Sequence, residues 1–355
     1  MYAGFRSPGI WPIMGILASL QDGFLRRTGV GTLLHLLPVH LRLDYHLLAA
    51  LHYMVLGVLL LVVLRLTLVR ISSAATLAIF FLSGSGSFLF HEVGYLEQWV
   101  FLLFLCALWT FHKSRIISAL LMAYAVLCHE LTLVFTLPLY VLYALHHRAR
   151  LPRLALLVAP ALALATLLFA ARAPTMSLEM TFLKGILNNA NFTPRFDYLE
   201  LLQRNYELKV AACTHFLARD RGALLLIVLF SLIQFLRHRA ALRSVPAGRR
   251  RLISLCAATC CVAPLLLGFI ATDGERWQLL ASVNCAVVSV LSSKRLRPGA
   301  TKLIDLAPLA LGLGWVVVFR PALFDYQLLR SGTLPQMYRF FVEGLPSIMR
   351  RIPIR

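Results

Sequence analysis

Five groups of polar residues interrupt an otherwise apolar chain, and they hold the side chains best suited to chemistry. They are Asp22 with Arg26 and Arg27; His91-Glu92 followed by Glu97 and Gln98; His129-Glu130; the stretch carrying Lys184, Asn188, Asn189, Asn191, Arg195 and Asp197; and Thr272-Asp273-Gly274-Glu275-Arg276-Trp277. Guanidinium groups grip phosphate oxygens bidentately and stabilise negative charge as it develops on a leaving group. A carboxylate beside a hydroxyl takes its proton as a general base. The candidate bases are Asp22, Glu92 and Glu130; the candidate ligand-binding residues are Arg26, Arg27, His91, Glu97, His129, Asp273 and Arg276. Each group also has a plainer use. Arg26 and Arg27 suit snorkelling to lipid phosphates, His129-Glu130 suits capping of a turn, Asp273 and Arg276 suit each other, and Trp277 suits an aromatic belt. No HExxH, Walker, GxSxG or CxxC pattern occurs, so metalloprotease, nucleotide-hydrolase and serine-hydrolase chemistry lacks support, and neither a metal nor a cofactor is implied.

These groups must be positioned by apolar elements, because little else is present. Of 355 residues, 59% are hydrophobic and only 14% charged, against about 25% charged in a soluble domain. The net charge of +20 comes from short clusters between apolar runs, a pattern of membrane topology rather than of nucleic-acid binding. Six of the seven cysteines, Cys106, Cys128, Cys256, Cys260, Cys261 and Cys285, lie in apolar runs and only Cys213 in a polar one, so no disulfide framework is expected.

Orientation follows from residues 112 to 153. Basic patches open this stretch (His112, Lys113, Arg115) and close it (His146, His147, Arg148, Arg150, Arg153), with His129-Glu130 near its middle. Lys and Arg beside spans stay on the inner side, so both ends belong inside. About thirty apolar residues give about 45 Å of helix, too long for one pass of a roughly 30 Å core. Two short helices with His129-Glu130 at an outer turn meet both demands.

Apolar runs fall near 8–20, 47–67, 74–90, 96–111, 116–128, 131–145, 154–171, 223–236, 252–271, 278–292 and 303–319. The first is kept as a short span because no small-x-small cleavage site follows it. The chain is therefore expected to be all-α: a polytopic transmembrane helical bundle of about ten or eleven spans with its N-terminus cytoplasmic. A single integral membrane domain covers 1–355, with an amphipathic outer-face segment at 21–45 and a long outer loop at 172–221. In this topology Arg65, Arg70, Lys113, Arg115, Arg148, Arg150, Arg153, Arg237, Arg239, Arg243, Arg249, Arg250, Arg251, Lys294, Arg295, Arg297 and Lys302 lie inside, with Asp305 as the one acid on that side. All other acids fall outside or near outer span ends, which marks the outer face as the working face.

The segments QDGFLRRTGVGTLL, GYLEQWVFLLFL, VLCHELTLVFTLPLYVL and TDGERWQLLASVN, in this order, resemble a broad set of bacterial inner-membrane proteins related in appearance to GT-C-type glycosyltransferases and Wzy/EpsG-like polysaccharide polymerases. The resemblance implies a multi-spanning fold in the bacterial inner (plasma) membrane, a periplasmic-facing site and a polyprenyl-linked sugar or oligosaccharide as substrate. It further implies Asp22 and Glu92 or Glu130 as base, with Arg26, Arg27 and Arg276 on phosphate. Asp22 stands alone after a short first run, where that family places paired acids after a full span. The expected function is glycosyl transfer from a polyprenyl-linked donor in cell-surface polysaccharide assembly, by a transferase or a polymerase. Membrane lipids and other polysaccharide-assembly proteins are the expected partners, and nucleic acid is not. The alternatives are a transporter or flippase for a lipid-linked or anionic solute, which wants charges near the midplane, and a non-catalytic membrane scaffold, which would leave the outer charges dispersed.

Overall fold

Apolar runs of this length bury backbone polar groups most cheaply as helices, and helices are what form. The computed structural model describes residues 8–20, 27–68, 94–147, 151–170, 185–186, 188–193, 221–269 and 274–293, and no strand is present among them. The longer helices are α4 (Tyr45–Leu68), α5 (Leu96–Thr110), α6 (Arg115–Cys128), α7 (Leu137–His146), α8 (Leu151–Ala170), α9 (Arg221–Ala241), α10 (Ala247–Val262) and α11 (Gly274–Ser293). Short helices α1 (Ile10–Gly15), α2 (Gly29–Leu34) and α3 (Val39–Arg42) precede them, and 3-10 turns cover Glu130–Leu133 and Ala263–Phe269. The expected spans at 74–90 and 303–319, and most of the 172–221 loop, lie outside the described residues.

Two stretches, Tyr45–Val62 and Ala247–Leu267, are long and apolar enough to cross a membrane. Helices α5 and α6 are shorter; at about 1.5 Å per residue each reaches about 20 Å. The 21–45 segment, expected as one amphipathic element, is split into α2 and α3. Pro38 causes the break: it offers no N–H and keeps Leu37 out of the helical region. Val30 and Leu34 are buried, whereas Leu33, Leu36 and Leu37 are exposed.

The stretch from 112 to 147 folds back on itself as its charges require. Helix α6 is capped by Ser114, whose hydroxyl accepts from the Ile117 N–H, and ends at Cys128. His129 turns to extended backbone, and α7 begins with Pro138 in its first turn, where a missing N–H costs nothing. The returning helix brings Tyr140 Oη to 2.9 Å from Ser118 Oγ, which itself donates to the Ala107 carbonyl at 2.8 Å. The His112 and His147 rings meet at 4.5 Å between centroids. His112 and His147, one from each basic patch, thus share one end of the bundle. Arg249, at the start of α10, donates to the Leu145 carbonyl at 3.0 Å, and His238 of α9 lies 5.4 Å from His146. The basic ends of α5, α6, α7, α9 and α10 therefore converge there.

The interior is stitched by polar bonds while the outside is oily. Gln234 donates to Ser289 at 2.9 Å across α9 and α11, and Asn284 donates to the Phe135 and Cys260 carbonyls at 2.9 and 2.8 Å. Outward, α9 exposes Leu225, Val228, Leu229, Leu232 and Leu236 in one helical stripe, and α4 exposes Met54, Val58 and Leu61.

Two glycines hold α2 tightly in place. A Cβ at Gly29 would stand 2.6 Å from Cys128 Sγ, and one at Gly31 would stand 2.0 Å from the Ala18 carbonyl oxygen. A Cβ at Gly57, inside α4, meets nothing. Gly31→Ala should therefore lower stability by about 2 kcal/mol or more, because backbone has to move. Gly57→Ala should be neutral or stabilising by up to about 1 kcal/mol through helix propensity. Thermal midpoints of the purified variants, read by size-exclusion chromatography, check both.

Candidate functional site

The end of the bundle opposite the basic one holds two arginine–carboxylate pairs, each joining segments far apart in sequence. The first begins with α2. Its glycines let the backbone approach the end of α6, and the Tyr124 hydroxyl fixes it by donating to the Gly29 carbonyl at 2.6 Å. Thr32 accepts from the Leu20 N–H at 3.0 Å and donates to the Thr28 carbonyl at 2.7 Å. Just before α2, Arg27 takes a left-handed conformation with φ of 62°, a region that costs a non-glycine residue free energy. From there its Nη2 donates to Glu130 Oε1 at 2.9 Å, with Nε at 3.3 and 3.4 Å from the two oxygens. Side-chain exposure is 19% for Arg27 and 12% for Glu130.

His129 completes this group. Its Nδ1 accepts from the Leu131 N–H at 3.1 Å and lies 3.2 Å from Glu130 Oε2. One nitrogen cannot both accept from an amide and donate to a carboxylate, and burial lowers the affinity of this ring for a second proton, as does the nearby Arg27 charge. We therefore assign a neutral ring, with the amide contact as the hydrogen bond. Glu130 sits at the turn, outside the apolar segments on either side. Burial pushes its carboxyl toward protonation, yet Arg27 above all holds it well below the usual carboxylate range.

The second pair joins α5 to α11. Glu97, in the first turn of α5, is 1% exposed and takes a hydrogen bond from Arg276 Nη2 through Oε1. Arg276 is 12% exposed, and its guanidinium lies 5.2 Å from the centre of the Tyr95 ring and 5.4 Å from that of Trp277. Gly94, with φ of 104°, turns the chain into α5, and a Cβ there would strike Pro12 at 2.8 Å. The Gln98 side-chain oxygen accepts from the Gly94 N–H at 3.2 Å.

Of the residues singled out from the sequence, Arg27, Glu97, His129, Glu130 and Arg276 are brought to one end of the bundle. Asp22, Arg26, His91, Glu92 and Asp273 lie outside the described residues. Asp44 was left unassigned by the sequence reading and belongs to the same end. Its Oδ1 accepts from the Leu47 N–H at 3.0 Å, capping α4, while Oδ2 accepts from Asn191 at 3.1 Å. The Asn191 side-chain oxygen Oδ1 in turn accepts from the Tyr45 N–H at 2.8 Å. The signal was present in the sequence as an Asp directly before an apolar helical run. Its partner, 147 residues away, was not. No group of three or more metal-ligating side chains occurs among the described residues. No protein-family model, curated protein or solved structure matches the chain.

An Arg27–Glu130 pair this well buried predicts a large penalty for breaking one side. Arg27→Ala or Glu130→Ala should each cost roughly 3–5 kcal/mol, because the partner charge stays buried alone. The double variant should cost less than the sum by about 1–3 kcal/mol. Because the folded carboxyl is the stronger acid, its stabilisation is present above the unfolded value of about 4.3 and is lost as pH falls toward the folded one. The thermal midpoint of the wild type should thus fall on acidification below that value. Glu130→Gln should lack this component, and pH-resolved melting curves check it.

Proposed function

We propose that this chain is a polytopic membrane protein whose working face is the end carrying Arg27–Glu130 and Glu97–Arg276. Outward apolar stripes on α4 and α9, facing away from an interior joined by Gln234, Ser289 and Asn284, suit lipid outside and protein inside. The basic end then faces the cytoplasm and the paired end faces outward.

At that face the proposed reaction is glycosyl transfer from a polyprenyl-linked sugar donor. The observation that carries this reading is the convergence of two guanidinium groups, from residues 27 and 276, on carboxylates at one end of an apolar bundle. Arg27 and Arg276 would bind the donor phosphates and stabilise the charge left on them as the glycosidic bond breaks. Glu130 has both oxygens held by Arg27, which leaves neither placed to take a proton; its role is to position Arg27. The charges gather at one end rather than along the middle of the bundle, which favours surface chemistry over midplane transport.

The test uses cells lacking the native gene and complemented with Arg27→Ala or Arg276→Ala at wild-type membrane levels. Each variant should lose surface glycan by about a hundredfold, in line with removal of one charge-stabilising donor. Lipid-linked precursor should collect on the outer leaflet, read with an impermeant lectin. Precursor confined to the inner leaflet would instead identify a flippase, and unchanged glycan in both variants would return these arginines to packing.

A further inference from the structure

Glu97 and Glu130 differ in a way that their common pairing with arginine hides. Both oxygens of Glu130 are engaged by Arg27, Oε1 with Nη2 at 2.9 Å and Oε2 with Nε at 3.4 Å. Glu97 gives only Oε1 to Arg276; its Oε2 is buried and accepts no hydrogen bond among the described residues. An open buried carboxylate oxygen costs free energy that a structural ion pair has no reason to carry. A carboxylate steered through one oxygen and open at the other is the arrangement of a proton acceptor. The Tyr95 and Trp277 rings flank the same guanidinium. Aromatic faces beside a carboxylate and a guanidinium suit a ligand with apolar faces and hydroxylated edges, as a pyranose is.

Resting on the glycosyl-transfer reading above, we infer that Glu97 is the catalytic base and that its Oε2 receives the proton of the acceptor sugar's hydroxyl. In the step, the hydroxyl oxygen bonds to the anomeric carbon of the donor as its proton passes to Glu97. The bond from that carbon to the phosphate oxygen breaks, and its electron pair leaves with the polyprenyl phosphate or diphosphate. The protonated Glu97 then returns its proton to water. Arg276 links the two halves of the site, because a guanidinium has five N–H donors and can hold Glu97 and a donor phosphate together. Tilting toward that phosphate, it uncovers the oxygen beneath.

The experiment uses full-length protein in proteoliposomes, with a polyprenyl-diphosphate-linked sugar as donor and a lipid-linked sugar with a free hydroxyl as acceptor. Glu97→Gln keeps the size of the side chain and an oxygen for Arg276. It should lower kcat by about 10²–10⁴-fold, leave the donor KM within about threefold, and remove the acid limb from the pH profile of the residual rate. Glu97→Ala should regain rate on addition of formate, which supplies a carboxylate that a packing defect would not need. Glu97→Gln with kcat within about tenfold of wild type, or an unaltered acid limb together with no formate rescue, would overturn the assignment while leaving glycosyl transfer standing. A wild type that transfers no sugar would remove the underlying reading, and Glu97 as base with it.

Discussion

An ionised carboxylate inside an apolar bundle has to find a cation, and the positions of Glu130 and Glu97 are understandable only through the arginines that meet them. Glu130 stands at the turn between α6 and α7. Without Arg27 its burial would favour the protonated form, and the turn would carry an uncompensated polar group. Meeting that need draws in the segment before α2, which can approach only because Gly29 and Gly31 leave room against Cys128 and Ala18. The left-handed backbone at Arg27 is the local strain that accompanies this reach. Pairing, close approach and strain are one arrangement.

The same constraint organises the opposite end by exclusion. The basic residues flanking α5, α6, α7 and α10 collect where no described carboxylate pairs with them; their contacts are to carbonyls and rings, as with Arg249 on Leu145 and Lys113 over Trp109 at 4.7 Å. The described carboxylates Glu97 and Glu130 sit at the other end with Arg27 and Arg276. The hairpin made by α6 and α7 is the clearest case, since Ser118 and Tyr140 meet while His129 and Glu130 form the far tip.

Polar side chains between helices serve two different purposes. Asn284 and Gln234 satisfy carbonyl and hydroxyl partners on neighbouring helices and lock α9, α10 and α11 together. Asp44 and Asn191 do the same for the start of α4, tying residues 188–193 to the face that holds the ion pairs. Glu97 stands apart from these, because its buried Oε2 accepts no hydrogen bond among the described residues.

Local sequence determined the helical class and the fold-back at His129-Glu130, because these follow from apolar run length and flanking charge. It also marked Arg27, Glu97, Glu130 and Arg276 as residues of interest, since charge in an apolar chain is costly wherever it falls. Which arginine meets which carboxylate was decided only in three dimensions. The described pairs span 179 and 103 residues. The break at Pro38 was written in the sequence, whereas the role of Gly29 and Gly31 was not, because a glycine shows its reason only when the surface it must approach is present. Partner choice depends on which helix ends the packing brings within reach, and no local pattern encodes that distance.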